Sequence, residues 1–131
     1  MAINPPIGNA ETQEREDIQI LALQSAATAN GNGTSANVDG FAGAVVVEVV
    51  ETAGGTCTLN LEGSFDGSTW YALGYSQVDN IASPARAVAA IAVAASSSHV
   101  YNILDTYKLI RARISASGGE SLTVTLRAYP V

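Results

Sequence analysis

Leu59-Asn60-Leu61-Glu62-Gly63-Ser64-Phe65-Asp66-Gly67-Ser68-Thr69-Trp70-Tyr71-Ala72-Leu73 reads as a strand, a tight turn and a returning strand. Upstream and into it, Cys57, Leu59 and Leu61 alternate with Thr58, Asn60 and Glu62, the period of a strand with one buried face. Asp66-Gly67 then marks a reversal, because glycine takes the positive φ that a hairpin turn needs. Ser64 and Asp66 carry oxygens that accept backbone N–H groups across such a reversal. Beyond it, Trp70, Tyr71 and Leu73 are the aromatic and branched residues that returning strands favour. Ser64, Asp66, Gly67 and Trp70 are therefore the structural turn. Trp70 is expected against the facing sheet, where its area alone contributes about 2–3 kcal/mol.

Working outward, Ile18 to Ala26 reads as a strand with Ile18, Ile20 and Ala22 on its inner face. Asn30-Gly31-Asn32-Gly33 is a turn, and Asn37 to Phe41 a short second strand. Ala44 to Thr52 holds Val45, Val46, Val47, Val49 and Val50, interrupted by Glu48. Such β-branched density, apolar on both faces, suits a central strand covered on both sides. Arg86 to Ala95 alternates without a polar stripe and is expected as a strand, with a buried helix as the competing reading because alanine favours helix. Val100 to Leu104 is short and extended. Toward the end, Ile110, Ala112 and Ile114 face inward opposite Leu109, Arg111 and Arg113. After Gly118-Gly119, Leu122, Val124, Leu126 and Ala128 alternate with Thr123, Thr125, Arg127 and Tyr129. Seven to nine short strands separated by turns imply an all-β fold, an antiparallel β-sandwich of jelly-roll or Ig-like type. Residues 18–131 form that single domain. Residues 1–17, with stiff Pro5-Pro6 and an acidic stretch from Glu11 to Asp17, are expected as an extended N-terminal arm.

At 131 residues the length fits one domain. Only 14% of residues are charged, against a typical ~25%, and 47% are hydrophobic. A charge-poor exterior is expected to be covered by partners or sister copies. The net charge of −6 lacks the basic stripe that nucleic acid requires. No apolar run reaches membrane-spanning length, and Met1-Ala2-Ile3-Asn4-Pro5-Pro6 does not read as a secretion signal. The single Cys57 allows no internal disulfide and reads as core filling.

Catalysis finds little support in these residues. His99 is the only histidine and reads as a surface or strand-edge residue; serines are plentiful but nothing resembles a nucleophile elbow, and a His/Cys metal site fails on number alone. Glu48 and Glu62 lie on strands, where outward polar positions explain both. The glycines lack phosphate-loop spacing. No enzyme activity, no cofactor and no metal is expected.

Three segments together resemble a family of small bacteriophage virion proteins, the head-decoration or cement type with a β-sandwich fold. They are Val45–Val50 after Asp39-Gly40-Phe41; Leu61-Glu62-Gly63-Ser64-Phe65-Asp66-Gly67-Ser68-Thr69-Trp70; and Tyr107-Lys108-Leu109-Ile110-Arg111-Ala112-Arg113-Ile114 with Gly118-Gly119 and the last Thr/Val strand. The resemblance covers residues 18–131 and implies a virion protein on the capsid exterior. Copies would bind the major capsid protein as a homo-oligomer, a trimer, and clamp neighbouring capsomers, with no nucleic-acid or membrane partner.

The uneven charge suggests how such a protein would dock. Ile3, Pro5, Pro6 and Ile7 would anchor the arm, while Glu11, Glu14, Glu16 and Asp17 carry its charge toward a capsid subunit or a sister copy. Arg111 and Arg113 would pair with carboxylates across an interface. Two rivals compete with this reading. One is a carbohydrate-binding module of a tail fibre or adhesin, using Tyr71, Tyr75, Tyr101, Tyr107 and Tyr129. The other is a tail or head-completion subunit.

Overall fold

A computed structural model describes residues 18–80 and 85–130, so the arm at residues 1–17 lies outside the described residues. Ten strands follow in order: β1 (Gln19–Ala27), β2 (Ala36–Asn37), β3 (Val45–Glu51), β4 (Thr56–Ser64), β5 (Tyr71–Ala72), β6 (Tyr75–Gln77), β7 (Ile91–Val93), β8 (Ser98–Ile103), β9 (Leu109–Gly118) and β10 (Leu122–Ala128). All pair antiparallel, in one sheet ordered β1-β10-β3-β8-β6 and a second ordered β2-β9-β4-β5, with β7 also pairing with β4. This is the expected β-sandwich. Pairing β1 with β10, β2 with β9, β3 with β8 and β4 with β5 gives the nested order of a jelly roll. The count exceeds seven to nine because β2, β5, β6 and β7 are only two or three residues long.

The core lies between the sheets. Val47, Val49, Leu122, Val124 and Leu126 meet Leu59, Leu61, Ile110, Ala112 and Ile114 across it, all buried. The alternation expected for β4, β9 and β10 is therefore the alternation observed. Cys57 is buried among them, and burial, then the Glu120 and Glu51 carboxylates, push its thiol up to about 11. The thiol stays protonated and inert.

Three expectations are corrected. Leu21 and Leu23, not Ile18, Ile20 and Ala22, turn toward the core from β1; Ile20 is 55% exposed. From Gln19 to Ala22 the register with β10 is unbroken and sets Leu21 opposite the buried Leu126 and Ile20 opposite the outward Arg127; the register shifts only after Ala22. Residues 85–90 are exposed and irregular, and only Ile91–Val93 forms a strand, with no helix. Trp70 is half-buried and sits outside the core, because the returning strand shrinks to Tyr71–Ala72 and Leu73 takes the inner position.

The β4–β5 turn itself forms as read, with Gly67 at φ +80°. Gly63 is required for a different reason. A Cβ there would lie 2.5 Å from the Tyr107 ring, so this strand position stays bare to admit the tyrosine.

Candidate interaction surface

Ser64 and Asp66 wire the turn as their chemistry predicts. The Ser64 hydroxyl oxygen accepts from Gly67 N–H at 2.8 Å and donates to Asp66 Oδ1 at 3.1 Å. Asp66 Oδ1 accepts from the N–H groups of Ser68 and Thr69 at 2.8 and 2.9 Å. Those bonds, Thr69 first, then Ser68 and the Ser64 hydroxyl, hold the Asp66 carboxyl below its usual range. The turn delivers Trp70 onto the outer face of its sheet, where the Arg111 guanidinium carbon stands 4.0 Å from the ring centroid.

Arg111 and Arg113 point outward, as the alternation placed them, and find their carboxylate within the chain. Glu62, opposite Arg111 on β4, receives Arg111 Nε at 2.8 Å on one oxygen and Arg113 Nη2 at 3.0 Å on the other. The Glu62 side chain is only 14% exposed. Burial alone would raise its carboxyl, but the two guanidiniums outweigh it and hold the pKa below the ordinary 4.5. With Trp70 covering one arginine, this face is satisfied internally.

The outer face of the β1-β10-β3-β8-β6 sheet differs. By register, Ile20, Arg127, Val46 and Asn102 form one row across it, and Ala22, Thr125, Glu48 and Val100 the next; Thr123, Val50 and Ser98 form a third. Val46, Val50 and Val100 are half-buried; Ile20 on the β1 edge is exposed, as is Val78 at the other edge, where its N–H bonds Val100 O. The β3 valines were expected to be covered on both sides. Here the second sheet covers only the inner set, Val47 and Val49, and no element among the described residues lies over Val46 and Val50. A β-branched sheet face with so few charges is an open, contact-ready surface.

A cleft of mixed polar and apolar lining opens at the end of the sandwich where β3 starts. Of about 450 Å³, it lies between the loop before β3 and the loop after β8, lined by Phe41, Val45, Ile103, Leu104 and Tyr107. Asp39 and Asp105 also line it. Asp105 is engaged by the Gly74 N–H at 2.7 Å and by Arg86 at 2.9 Å. Beside the cleft, Phe65 lies tilted against Tyr107 with centroids 4.8 Å apart, and Tyr71 stacks on it at 6.1 Å. Tyr75 and Tyr101, by contrast, are buried and meet edge to face at 5.4 Å. The five tyrosines thus do not line up as one exposed row.

Two carboxylates that sequence reasoning passed over hold the opposite end together. Glu51, 2% exposed, accepts from the N–H groups of Ser96 (2.6 Å), Ala53 (2.8 Å), Gly54 (3.0 Å) and Ser121 (3.1 Å). The Ser96 bond leads, and together these donors outweigh burial and hold Glu51 at about 2. It ties three separate turns. Glu120 does the same more locally, accepting from the Ser117 hydroxyl at 2.8 Å and the Gly118 N–H at 2.9 Å. His99 Nδ1 stands 2.8 Å from Asp79 and, ahead of burial and the Val100 N–H, holds that carboxyl at about 2. No group of three His, Cys, Asp or Glu side chains suited to a metal ion occurs among the described residues.

No protein-family model matches this chain, and no curated protein matches it in sequence. Its architecture is similar to that of YomS, an SPBc2 prophage-derived protein of solved structure. The TM-score is 0.63 at 13% identity, with 86% of this chain and 92% of that one covered. The two share a fold over that matched length.

Proposed function

We propose that this chain is a structural protein of a phage virion, a decoration or cement subunit. It binds the major capsid protein on the capsid exterior as a homo-oligomer, a trimer, and clamps neighbouring capsomers. The observation that carries this reading is the open outer face of the β1-β10-β3-β8-β6 sheet. Val46, Val50 and Val100 stand there half-buried and without a covering layer, on a molecule whose other sheet face is closed by its own ion pairs. Jelly rolls serve in viral capsid domains, and the shared fold of a prophage-derived protein points the same way. Both are analogies of fold; the valine face is the physical argument.

Clamping asks for area and shape, not turnover. A contact of ordinary size needs about 800 Å² per partner. A five-stranded face about 24 Å across and some 20 Å long contributes a large part of that.

Cosedimentation with capsids of the parental phage tests the reading. Purified protein mixed with particles lacking it should pellet with them at a fixed ratio, and mass photometry of the free protein should show a trimer. Protein left wholly in the supernatant at micromolar concentration would overturn the capsid role.

A further inference from the structure

Phe65 sits inside the β4–β5 turn, yet the turn has no use for its ring. Ser64 and Asp66 make the side-chain bonds there, while Phe65 stands 63% exposed between them. Tyr71, on β5, is 52% exposed. Both rings meet the half-buried Tyr107, at interplanar angles of 34° and 23°, so each lies nearer parallel than perpendicular to it. This is a wall of rings with wet outer surfaces, not a cage around a void. β4 leaves a strand position bare to hold it. Glycine weakens a strand, but a Cβ at Gly63 would strike the Tyr107 ring, and Gly63 is also the residue opposite Tyr71. The rings are therefore fixed at the surface before any ligand arrives.

Tyr107 also lines the cleft and so joins the wall to it. At about 450 Å³ the cleft is of the size that small molecules occupy. Its polar groups are in part uncommitted. Asp105 is taken by Arg86 and the Gly74 N–H. The Asp39 carboxylate, the Thr106 hydroxyl and the Tyr71 and Tyr107 phenols make no hydrogen bond among the described residues. Asp39 is nevertheless held in place, because its N–H bonds Asn37 Oδ1 at 2.9 Å and Phe41 N–H bonds Val38 O at 3.1 Å.

We infer that this end of the sandwich binds a neutral pyranose oligosaccharide. A pyranose ring has an apolar face of C–H groups and a rim of hydroxyls. The C–H face packs on the exposed Phe65 and Tyr71 rings, and the hydroxyls donate to Asp39 and exchange bonds with Thr106 and Tyr107. Other ligand classes fit less well. An aliphatic ligand would desolvate the Asp39 carboxylate without bonding it. An anion would meet that carboxylate on a chain of net charge −6. An alkylammonium group is best held by rings on several sides, and here they stand alongside one another. The site does not use the outer valine face, so it stands apart from the capsid role.

An array printed with neutral and with sialylated oligosaccharides, probed with fluorophore-labelled full-length protein, tests the ligand class. Retention on neutral pyranose chains is expected, and choline chloride in solution should not displace it. Phe65→Ala and Tyr71→Ala remove exposed rings, so both should melt as the parent does while each weakens retention by about tenfold. Asp39→Ala should weaken it several-fold. Val46→Lys with Val50→Lys should leave retention unchanged, which separates failure here from failure of the capsid reading. No retention on any neutral chain, retention on sialylated chains alone, displacement by choline, or undiminished retention in both ring variants would each overturn the inference.

Discussion

On the outer face of the β4–β9 sheet, Glu62 holds Arg111 at 2.8 Å and Arg113 at 3.0 Å, and Trp70 lies over the Arg111 guanidinium. On the outer face of the β3–β10 sheet, Val46, Val50 and Val100 stand beside Thr123 and Thr125, with Glu48 and Arg127 as the charged positions in those rows. Both faces are built on the same two-residue period, yet one is finished within the chain and the other is not. A polar face can close on itself because opposite charges sit on neighbouring strands. A valine face gains only when a second surface removes water from it. On the proposed reading, the interface lies on the sheet without the arginines.

The largest effect should follow from charging the open face. Val46→Lys combined with Val50→Lys leaves the inner core untouched, so thermal unfolding should move by only a few degrees. Assembly should fall by about 100-fold or more, because unpaired ammonium groups would be buried at the contact. Analytical ultracentrifugation reads both the oligomer and its loss. A variant that assembles as the parent does would break the contrast between the faces.

Next comes the closed face. Glu62→Ala strands two partly buried guanidiniums, and the loss should be roughly 2 kcal/mol, less than for a deeply buried pair because Arg113 retains solvent contact. Urea unfolding measures it. Assembly of the folded fraction should not change.

Acid should act on the closed face and the Glu51 junction together. The Glu51 carboxyl is held at about 2 in the fold against an ordinary 4.5, and Glu62 is also lowered. A depressed folded pKa gives stability that is complete above the unfolded value and is lost as pH falls. Stability should therefore be level above about pH 4.5 and decline toward pH 2. Glu51→Gln should lower the plateau and flatten that decline, as followed by thermal melts across the pH range.

The sequence made some of this legible because the signals were local. Asp66-Gly67, the Ser64 hydroxyl and the alternations of β4, β9 and β10 each act within a few residues, and each appears as read. The failures came where a distant element decides. Pairing with β10 sets Leu21 against Leu126 and leaves Ile20 outside, opposite Arg127. Glu51 reads as the end of a valine strand; nothing near it announces that Ser96 and Ser121 bring N–H groups to it. The alternation placed Arg111 and Arg113 outward correctly, but it could not show that Glu62 lies opposite them, since register between β4 and β9 is a tertiary fact.

Trp70 offers the smallest effect and a sharp discrimination. A tryptophan packed between the sheets would cost about 3–5 kcal/mol on truncation to alanine. Half-buried on the outer face, with a guanidinium 4.0 Å from its ring centroid, it should cost only about 1 kcal/mol. As the sole tryptophan it also reports its own surroundings. Its emission should lie toward the solvent-exposed end in the native protein and shift when Glu62→Ala frees Arg111. A core-like cost for Trp70→Ala, or an emission indifferent to Glu62, would mean that the arginine face is not the self-contained surface that sets the two sheets apart.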